Sequence, residues 1–193
     1  MSASDALSLA APSNTAVAKQ GRPAGPLLLG QPGSRKYLSF TLNGELYAIS
    51  IEQIKEIIGL RPITTVPMMP NYLRGIINLR GMVVPVVDLA RRLGMEPLSA
   101  TKRNCIVILE IPLYPELPEH CHTLGLVVDM VNAVLDIPPQ VIEAAPSFGT
   151  HVRPDFLQGI AKVKEKFILL LNIQRVIALE ELNALRALGK KEG

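Results

Sequence analysis

From Lys36 onward the chain is a series of short apolar runs rich in Val, Ile and Leu, set off by Gly, Pro and Asn, which is the signature of strands joined by turns. Tyr37–Leu42 and Leu46–Ile49 flank Asn43-Gly44, a dipeptide suited to the left-handed backbone of a tight hairpin turn. Ser50 then caps a short segment, Ile51–Ile58. Its apolar positions at Ile51, Ile54, Ile57 and Ile58 fit a helical period and also partly fit a strand, so the pattern leaves both open. Three prolines between Pro62 and Pro70 exclude a regular helix there. Gly75–Leu89 reads as two strands around a turn at Arg80-Gly81, with Pro85 expected at an edge or bulge because it cannot donate a ladder hydrogen bond. Asp88 is placed to cap a short helix, Leu89–Leu93, which Gly94 ends.

The second half predicts strands at 104–111, 123–128, 131–136, 157–163 and 166–171. The proline-studded stretch Pro112–Glu119 reads as an enlarged surface loop between the first two. Ile173–Leu188 has helical spacing at Val176, Leu179, Leu182, Leu185 and Leu188, and Lys190 and Lys191 suit a helix C-terminus. Residues 1–35, rich in Ala, Ser, Pro, Gly and Gln, read as a disordered tail whose one apolar cluster is Leu27–Leu29.

The order of elements repeats. Tyr72-Leu73-Arg74-Gly75-Ile76 aligns with Phe156-Leu157-Gln158-Gly159-Ile160. Without a gap, Val86-Val87-Asp88-Leu89 then meets Leu170-Leu171-Asn172-Ile173. Ala48–Glu52 aligns with Gly125–Asp129, and Ile54, Ile57 and Pro62 meet Val131, Val134 and Pro139. Two similar β-barrels that close their own sheet edges follow from this repeat.

Composition narrows the function classes. The 193 residues are 48% hydrophobic but only 4% aromatic, with no Trp, so Val, Ile and Leu must build the cores. A net charge of +3, spread along the chain, does not suggest a nucleic-acid binder. No signal peptide is visible and no apolar run is long enough to span a bilayer, so a cytoplasmic address with two reduced thiols is expected and no membrane insertion. Cys105 lies in an apolar strand pattern. His120-Cys121-His122 resembles part of a metal site, but no second ligand pair accompanies it. No phosphate loop, nucleophile elbow or zinc-protease motif occurs, so neither cofactor, metal nor catalytic group is expected. Met68 and Met69, set between prolines, suit either an adaptable contact surface or packing between the lobes.

Asn78–Leu89, with its NLRG turn and its Pro85-Val86-Val87-Asp88-Leu89 end, resembles the signature of the CheW-domain family. The surrounding segments Phe40–Leu42, Ile54–Ile57, Tyr72–Gly75, Leu124–Asp129 and Phe156–Ile160 extend the resemblance over about residues 36–182. The resemblance implies an all-β fold of two SH3-like, five-stranded barrels, with a first barrel at about 36–98 and a second at about 102–165. The C-terminal strand and helix would pack back on these, and 183–193 would end the helix. It also implies a non-catalytic adaptor that couples methyl-accepting chemoreceptors to the histidine kinase CheA, whose regulatory domain is itself CheW-like, with self-association or ring assembly. The same fold in another chemosensory pathway, for type IV pili or surface sensing, is the alternative.

The family's receptor-contact positions fall on Ile54, Glu56, Gly75, Arg80, Gly81, Gly125, Val134 and Gly159, in a groove between the lobes. Turn geometry is a competing role for Gly75, Gly81 and Gly159, and internal bracing through Glu56 a competing role for Arg80. Kinase contact falls on Asn43, Gly44, Met68 and Met69, at one end of the first barrel. Three features depart from the family pattern: Met130 where glycine is common, the longer Pro112–His122 segment, and the long tail.

Overall fold

The computed structural model describes residues 33–114, 117–145 and 151–177, with backbone alone for 113–114 and 117–120. In chain order the elements are β1 (Arg35–Leu42), β2 (Glu45–Ser50), β3 (Ile54–Gly59), β4 (Leu73–Leu79), β5 (Met82–Asp88), α1 (Leu89–Arg92), β6 (Cys105–Tyr114), β7 (Leu117–Val128), β8 (Met130–Ile137), β9 (Ile142–Glu143), β10 (Leu157–Val163), β11 (Lys166–Leu171) and α2 (Ile173–Val176). They form a six-stranded sheet, β8-β1-β2-β11-β10-β9, and a five-stranded sheet, β3-β6-β7-β5-β4. The expected all-β, two-unit class is what the chain adopts.

Local chemistry accounts for most elements. Asn43 (φ 47°) and Gly44 (φ 87°) take the paired left-handed conformations of a two-residue hairpin turn. The segment after Ser50 resolves into both alternatives. Ile51–Gln53 forms one short helical turn, with the Ser50 hydroxyl accepting from the Glu52 N–H. Strand β3 then pairs with β6 from Ile54↔Leu109 to Gly59↔Cys105. Pro85 sits opposite Ile76, one residue before the parallel pairing of β5 with β7 begins at Val86↔Gly125, so no ladder partner awaits its missing N–H. Asp88 caps α1, and Asn172 caps α2 in the same way.

The repeat holds in three dimensions. β4–β5 and β10–β11 are hairpins with a register shift at the matching places, Leu73/Gly75 and Leu157/Gly159. β5 runs parallel to β7 and β11 parallel to β2, with Val86↔Gly125 answering Leu170↔Ala48. The halves are interleaved, however. The six-stranded sheet takes β1 and β2 from the first half and its other strands from the second; the five-stranded sheet takes β3–β5 from the first half and β6–β7 from the second. A boundary near residues 98–102 therefore divides the sequence repeat and not the sheets. Exchange of a hairpin between the halves is the physical reason, since each parallel pairing needs a partner from the other half.

Each sheet is drawn closed by the segment that follows one of its edge strands. After β3 the chain crosses to β4, where Thr64 and Ile76 exchange backbone hydrogen bonds of 2.9 and 2.8 Å. After β8 it crosses to β10 through β9. The main core lies between the sheets. Leu38, Phe40, Leu42, Tyr47 and Ile49 pack there with residues of β4–β7, while Tyr37, Ala48, Ile137, Ala161, Ile168 and Leu170 form a second cluster. Strand β1 is thus buried on both faces.

One expectation is corrected, and one departure from the family pattern is explained. Pro112–Glu119 does connect a hairpin, but most of it is strand rather than loop: β6 extends to Tyr114 and β7 starts at Leu117, with Tyr114 paired to Leu117. Beyond Leu109, β6 has no β3 neighbour, so prolines there break no ladder on that side. Met130 needs no glycine-like backbone, because it opens β8 without a positive φ. The tail before residue 33, with Leu27–Leu29, and the helix beyond Ile177 lie outside the described residues.

Candidate functional site

The Asn78-Leu79-Arg80-Gly81 turn between β4 and β5 is built from its own residues. Leu79 is buried in the core. The Asn78 Oδ1 accepts from the Gly81 N–H at 2.8 Å. Arg80 (φ 52°) and Gly81 (φ 86°) complete it in the left-handed region. This geometry swings the Arg80 side chain back to β3, where its Nη2 donates to Glu56 Oε2 at 2.8 Å. Arg80 stays 73% exposed and Glu56 only 21%. Glu56 is therefore the anchor and Arg80 the exposed fork, with N–H donors still free for a partner's carbonyl or carboxylate. The second Glu56 oxygen, Oε1, is buried without a hydrogen-bond partner.

Exposed large apolar side chains stand on the same elements: Ile57 on β3, and Met82 and Val83 on β5. In the second half, Val134 (55% exposed) occupies the position of Ile57, and Phe167 (63%) that of Val83. The ion pair has no such counterpart. Ala133 stands where Glu56 does and Lys164 where Arg80 does, and Lys162 pairs instead with Glu165. The two units thus repeat an apolar exposure but differ in charge.

The structure separates the eight expected receptor residues into two groups. Glu56, Arg80 and Gly81 meet around one turn, with Ile54 on the adjoining β3; Val134 is exposed on the other sheet. Gly75, Gly125 and Gly159 are buried, so they hold the surface in place rather than form it. A Cβ on Gly75 would stand 2.1 Å from the Thr64 carbonyl oxygen, and one on Gly159 would stand 2.6 Å from that of Glu143. These matching glycines admit the two segments that close the sheets. A Cβ on Gly125 would meet Ile106 Cγ2 at 2.7 Å, within the β6–β7 ladder.

The four expected kinase residues are not presented by one sheet. The Asn43-Gly44 turn belongs to the six-stranded sheet, braced by Asn43 N–H to Asp129 Oδ2 and Asn43 Nδ2 to the Glu96 carbonyl. Met68, at φ 60° and 97% exposed, lies on the β3–β4 connection, while Met69 packs against the main core. Met69 thus serves packing, and Met68 is exposed.

Sequence reasoning missed Arg92. Its guanidinium lies 4.5 Å from the Tyr72 ring centre and 5.7 Å from that of Phe156, and its Nε donates to the Val176 carbonyl at 2.6 Å. Tyr72 and Phe156 are equivalent in the repeat, so this one cation clasps the two halves. Cys121 is exposed and His122 buried, as strand alternation requires, so adjacent residues face apart. Cys105 is half-buried on β6. Among the described residues no group of three His, Cys, Asp or Glu side chains is placed to hold a metal, and no helix is long and apolar enough to cross a membrane.

Comparison with known proteins places this geometry. A family model described as the CheW-like domain matches residues 36–181. A probable chemotaxis protein CheW of Rhizobium etli is 30% identical over 152 residues, covering 79% of this chain and 93% of the relative. The chemotaxis protein CheW of Bacillus subtilis is 35% identical over 138 residues, covering 72% and 81%. The crystal structure of the scaffolding protein TtCheW from Thermoanaerobacter tengcongensis superposes with a TM-score of 0.66 at 34% identity, covering 76% of this chain and 89% of that one.

Proposed function

This chain belongs to the CheW family and is a chemotaxis coupling adaptor; we propose that it couples the cytoplasmic tips of methyl-accepting chemoreceptors to the regulatory domain of the histidine kinase CheA, without catalysing a reaction itself and from the cytoplasm. The observation that carries this reading is the pairing of a shared fold with unshared surfaces. Both units expose an apolar pair, Ile57 with Val83 and Val134 with Phe167, while only the first adds the Arg80–Glu56 fork. Two related faces of different charge suit a bridge between unlike partners.

Receptor contact centres in this reading on Arg80, Gly81, Ile54 and Val134, with Glu56 orienting Arg80. A receptor tip is helical, and a helix docks through apolar anchors backed by a few directed polar contacts. Kinase contact uses the exposed Met68 and the Asn43-Gly44 turn.

The test is reconstitution of receptor, kinase and this chain. Arg80→Ala is expected to lower kinase stimulation and receptor binding while shifting the melting temperature little, since exposed ion pairs contribute about 0–1 kcal/mol. Full stimulation by Arg80→Ala would refute the assignment of Arg80, and failure of the wild-type chain to bind either partner would refute the coupling itself.

A further inference from the structure

A cleft beside the segment that closes the five-stranded sheet carries two arginines. It has a volume of about 270 Å³ and is lined by Leu60, Arg61, Ile63, Thr65 and Arg74. Arg74 projects from β4 next to Gly75, the glycine that admits the Thr64 backbone. Its Nη1 is shielded from solvent and has no hydrogen-bond acceptor. Its nearest carboxylate oxygen is Asp88 Oδ2, 3.9 Å from Nε, which is an ion-pair separation but too long for a hydrogen bond. The other oxygen, Asp88 Oδ1, already accepts the Arg91 N–H in capping α1. Arg61 is exposed at the rim.

The repeat supplies an internal comparison. Where the first half has Arg61, Arg74 and Asp88, the second has Pro138, Gln158 and Asn172, and it builds the same bulged hairpin and the same capped turn of helix without any of those charges. The fold therefore does not require the guanidinium groups. A dehydrated N–H without an acceptor is destabilising, and at these matched positions the first half carries one at Arg74 where the second has Gln158.

We propose that this cleft receives the carboxylate of an acidic side chain, of glutamate length, from a protein partner. Guanidinium forks match a carboxylate in planar, two-bond geometry; Arg74, 27% exposed, and the rim residue Arg61 bring two such cations to the cleft, and Nη1, itself shielded, leaves the Arg74 charge without an internal hydrogen-bonded counterion on that side. Leu60 and Ile63 offer an apolar wall to the methylenes of such a side chain. The volume lies below the ~300–1,000 Å³ of ordinary small-molecule sites, which suits one side chain rather than a whole ligand. The proposal rests on the adaptor reading only in taking the partner to be a protein.

The test uses glutarate, which carries the glutamate side chain's carboxylate, titrated into the isotope-labelled full chain against chloride at matched ionic strength. Saturable shifts are expected at the side chains of Arg61 and Arg74 and at the amides of Leu60, Ile63 and Thr65. Arg61→Ala, and Arg74→Gln with the counterpart's own residue, should each weaken binding by about tenfold, as loss of a charge-assisted contact implies. Asp88→Asn, which keeps the cap as Asn172 does, should tighten it by removing an internal competitor. Should Arg74→Gln fold poorly, the rim variant Arg61→Ala decides alone. Shifts reproduced by chloride, or unaffected in Arg61→Ala, would overturn the cleft. Undiminished affinity of Arg61→Ala for both the kinase regulatory domain and the receptor hairpin would overturn the protein carboxylate. If the wild-type chain bound neither protein, the adaptor reading would fall and the glutarate titration would still judge the cleft.

Discussion

Replacing Gly75 by alanine separates a glycine that a partner touches from one that the barrel needs. Its φ of 139° lies where side chains are rarely tolerated, and its missing Cβ leaves the room that the Thr64 carbonyl occupies at 2.1 Å. The obstacle is backbone, so no rotamer change relieves it. Alanine must hold a strained dihedral, at about 1–3 kcal/mol, and also push the Thr64 segment away. That displacement breaks the paired hydrogen bonds between Thr64 and Ile76, worth about 0.5–1.5 kcal/mol each. Both effects together amount to about 2–6 kcal/mol, against a total stability of about 5–15 kcal/mol for a typical domain. At about 2–4 °C per kcal/mol for a chain of this size, the melting temperature should fall by roughly 10 °C.

Gly81→Ala is the control. Gly81 also has a positive φ, 86°, but nothing lies within 4 Å of its absent Cβ, so it should cost only about 1 kcal/mol of backbone strain. Thermal and urea unfolding followed by circular dichroism measure both, alongside receptor-hairpin binding scaled to the folded fraction. The reasoning predicts that Gly75→Ala loses binding only in step with folding. A Gly75→Ala protein that melts within a degree or two of the wild type would refute the closure argument. If that protein also failed to bind receptor, Gly75 would be a contact after all.

Five further substitutions, at four positions, probe the rest. Arg92→Ala should destabilise by about 2–3 kcal/mol, because it removes a cation between two rings and a charged hydrogen bond; Arg92→Lys should recover only part, and equal stability of all three proteins in urea would show that the clasp is idle. Burial, followed by the hydrogen bond to Glu45, raises the Tyr47 phenol well above its ordinary range. A raised folded-state pKa contributes stability that is fully present below the unfolded value near 10 and is lost as the pH climbs beyond it. The wild-type melting temperature should therefore drop more steeply above about pH 10 than that of Tyr47→Phe, and parallel profiles would contradict this. Val134→Asp and Phe167→Asp, on exposed strand faces, should leave stability nearly unchanged, within about 0.5 kcal/mol, and weaken pull-down of one partner each; loss of neither partner would remove the second unit from the coupling surface.

Strand positions, the hairpin turns and the repeat were legible in the sequence because each depends on local chemistry: strand-length apolar runs for β10 and β11, paired left-handed residues at Asn43-Gly44, capping by Asp88. The exchange of hairpins between halves was not legible. Alternation reports which face of a strand is buried, and β1, buried on both faces, reads the same whether β8 or β3 lies beside it. Pro112–Glu119 misled for a related reason. Proline signals a loop only where the ladder needs its N–H, and the β6–β7 hairpin runs beyond the neighbours that would need it. The site was partly legible. Arg80 was visible as a residue its turn does not require, whereas Arg92 gave no signal, since its partners Tyr72, Phe156 and Val176 come from distant parts of the chain.

The repeat also separates folding from function more sharply than either half alone. Positions with the same role in both halves keep their chemistry: Gly75 with Gly159 at the closing segments, Asp88 with Asn172 at the caps, Tyr72 with Phe156 around Arg92. Ile57 and Val83 keep theirs as Val134 and Phe167, but these are exposed, where folding gains little from an apolar side chain. Their repetition therefore needs a cause outside the fold, and contact with related surfaces supplies one. Glu56, Arg80, Arg61 and Arg74 are replaced by Ala133, Lys164, Pro138 and Gln158 in a half that folds the same way. Three of those charges are lost and the fourth is kept as a lysine, so closing a barrel does not select Glu56, Arg61 and Arg74, and the coupling proposed above assigns them to a difference between the partners met at the two units.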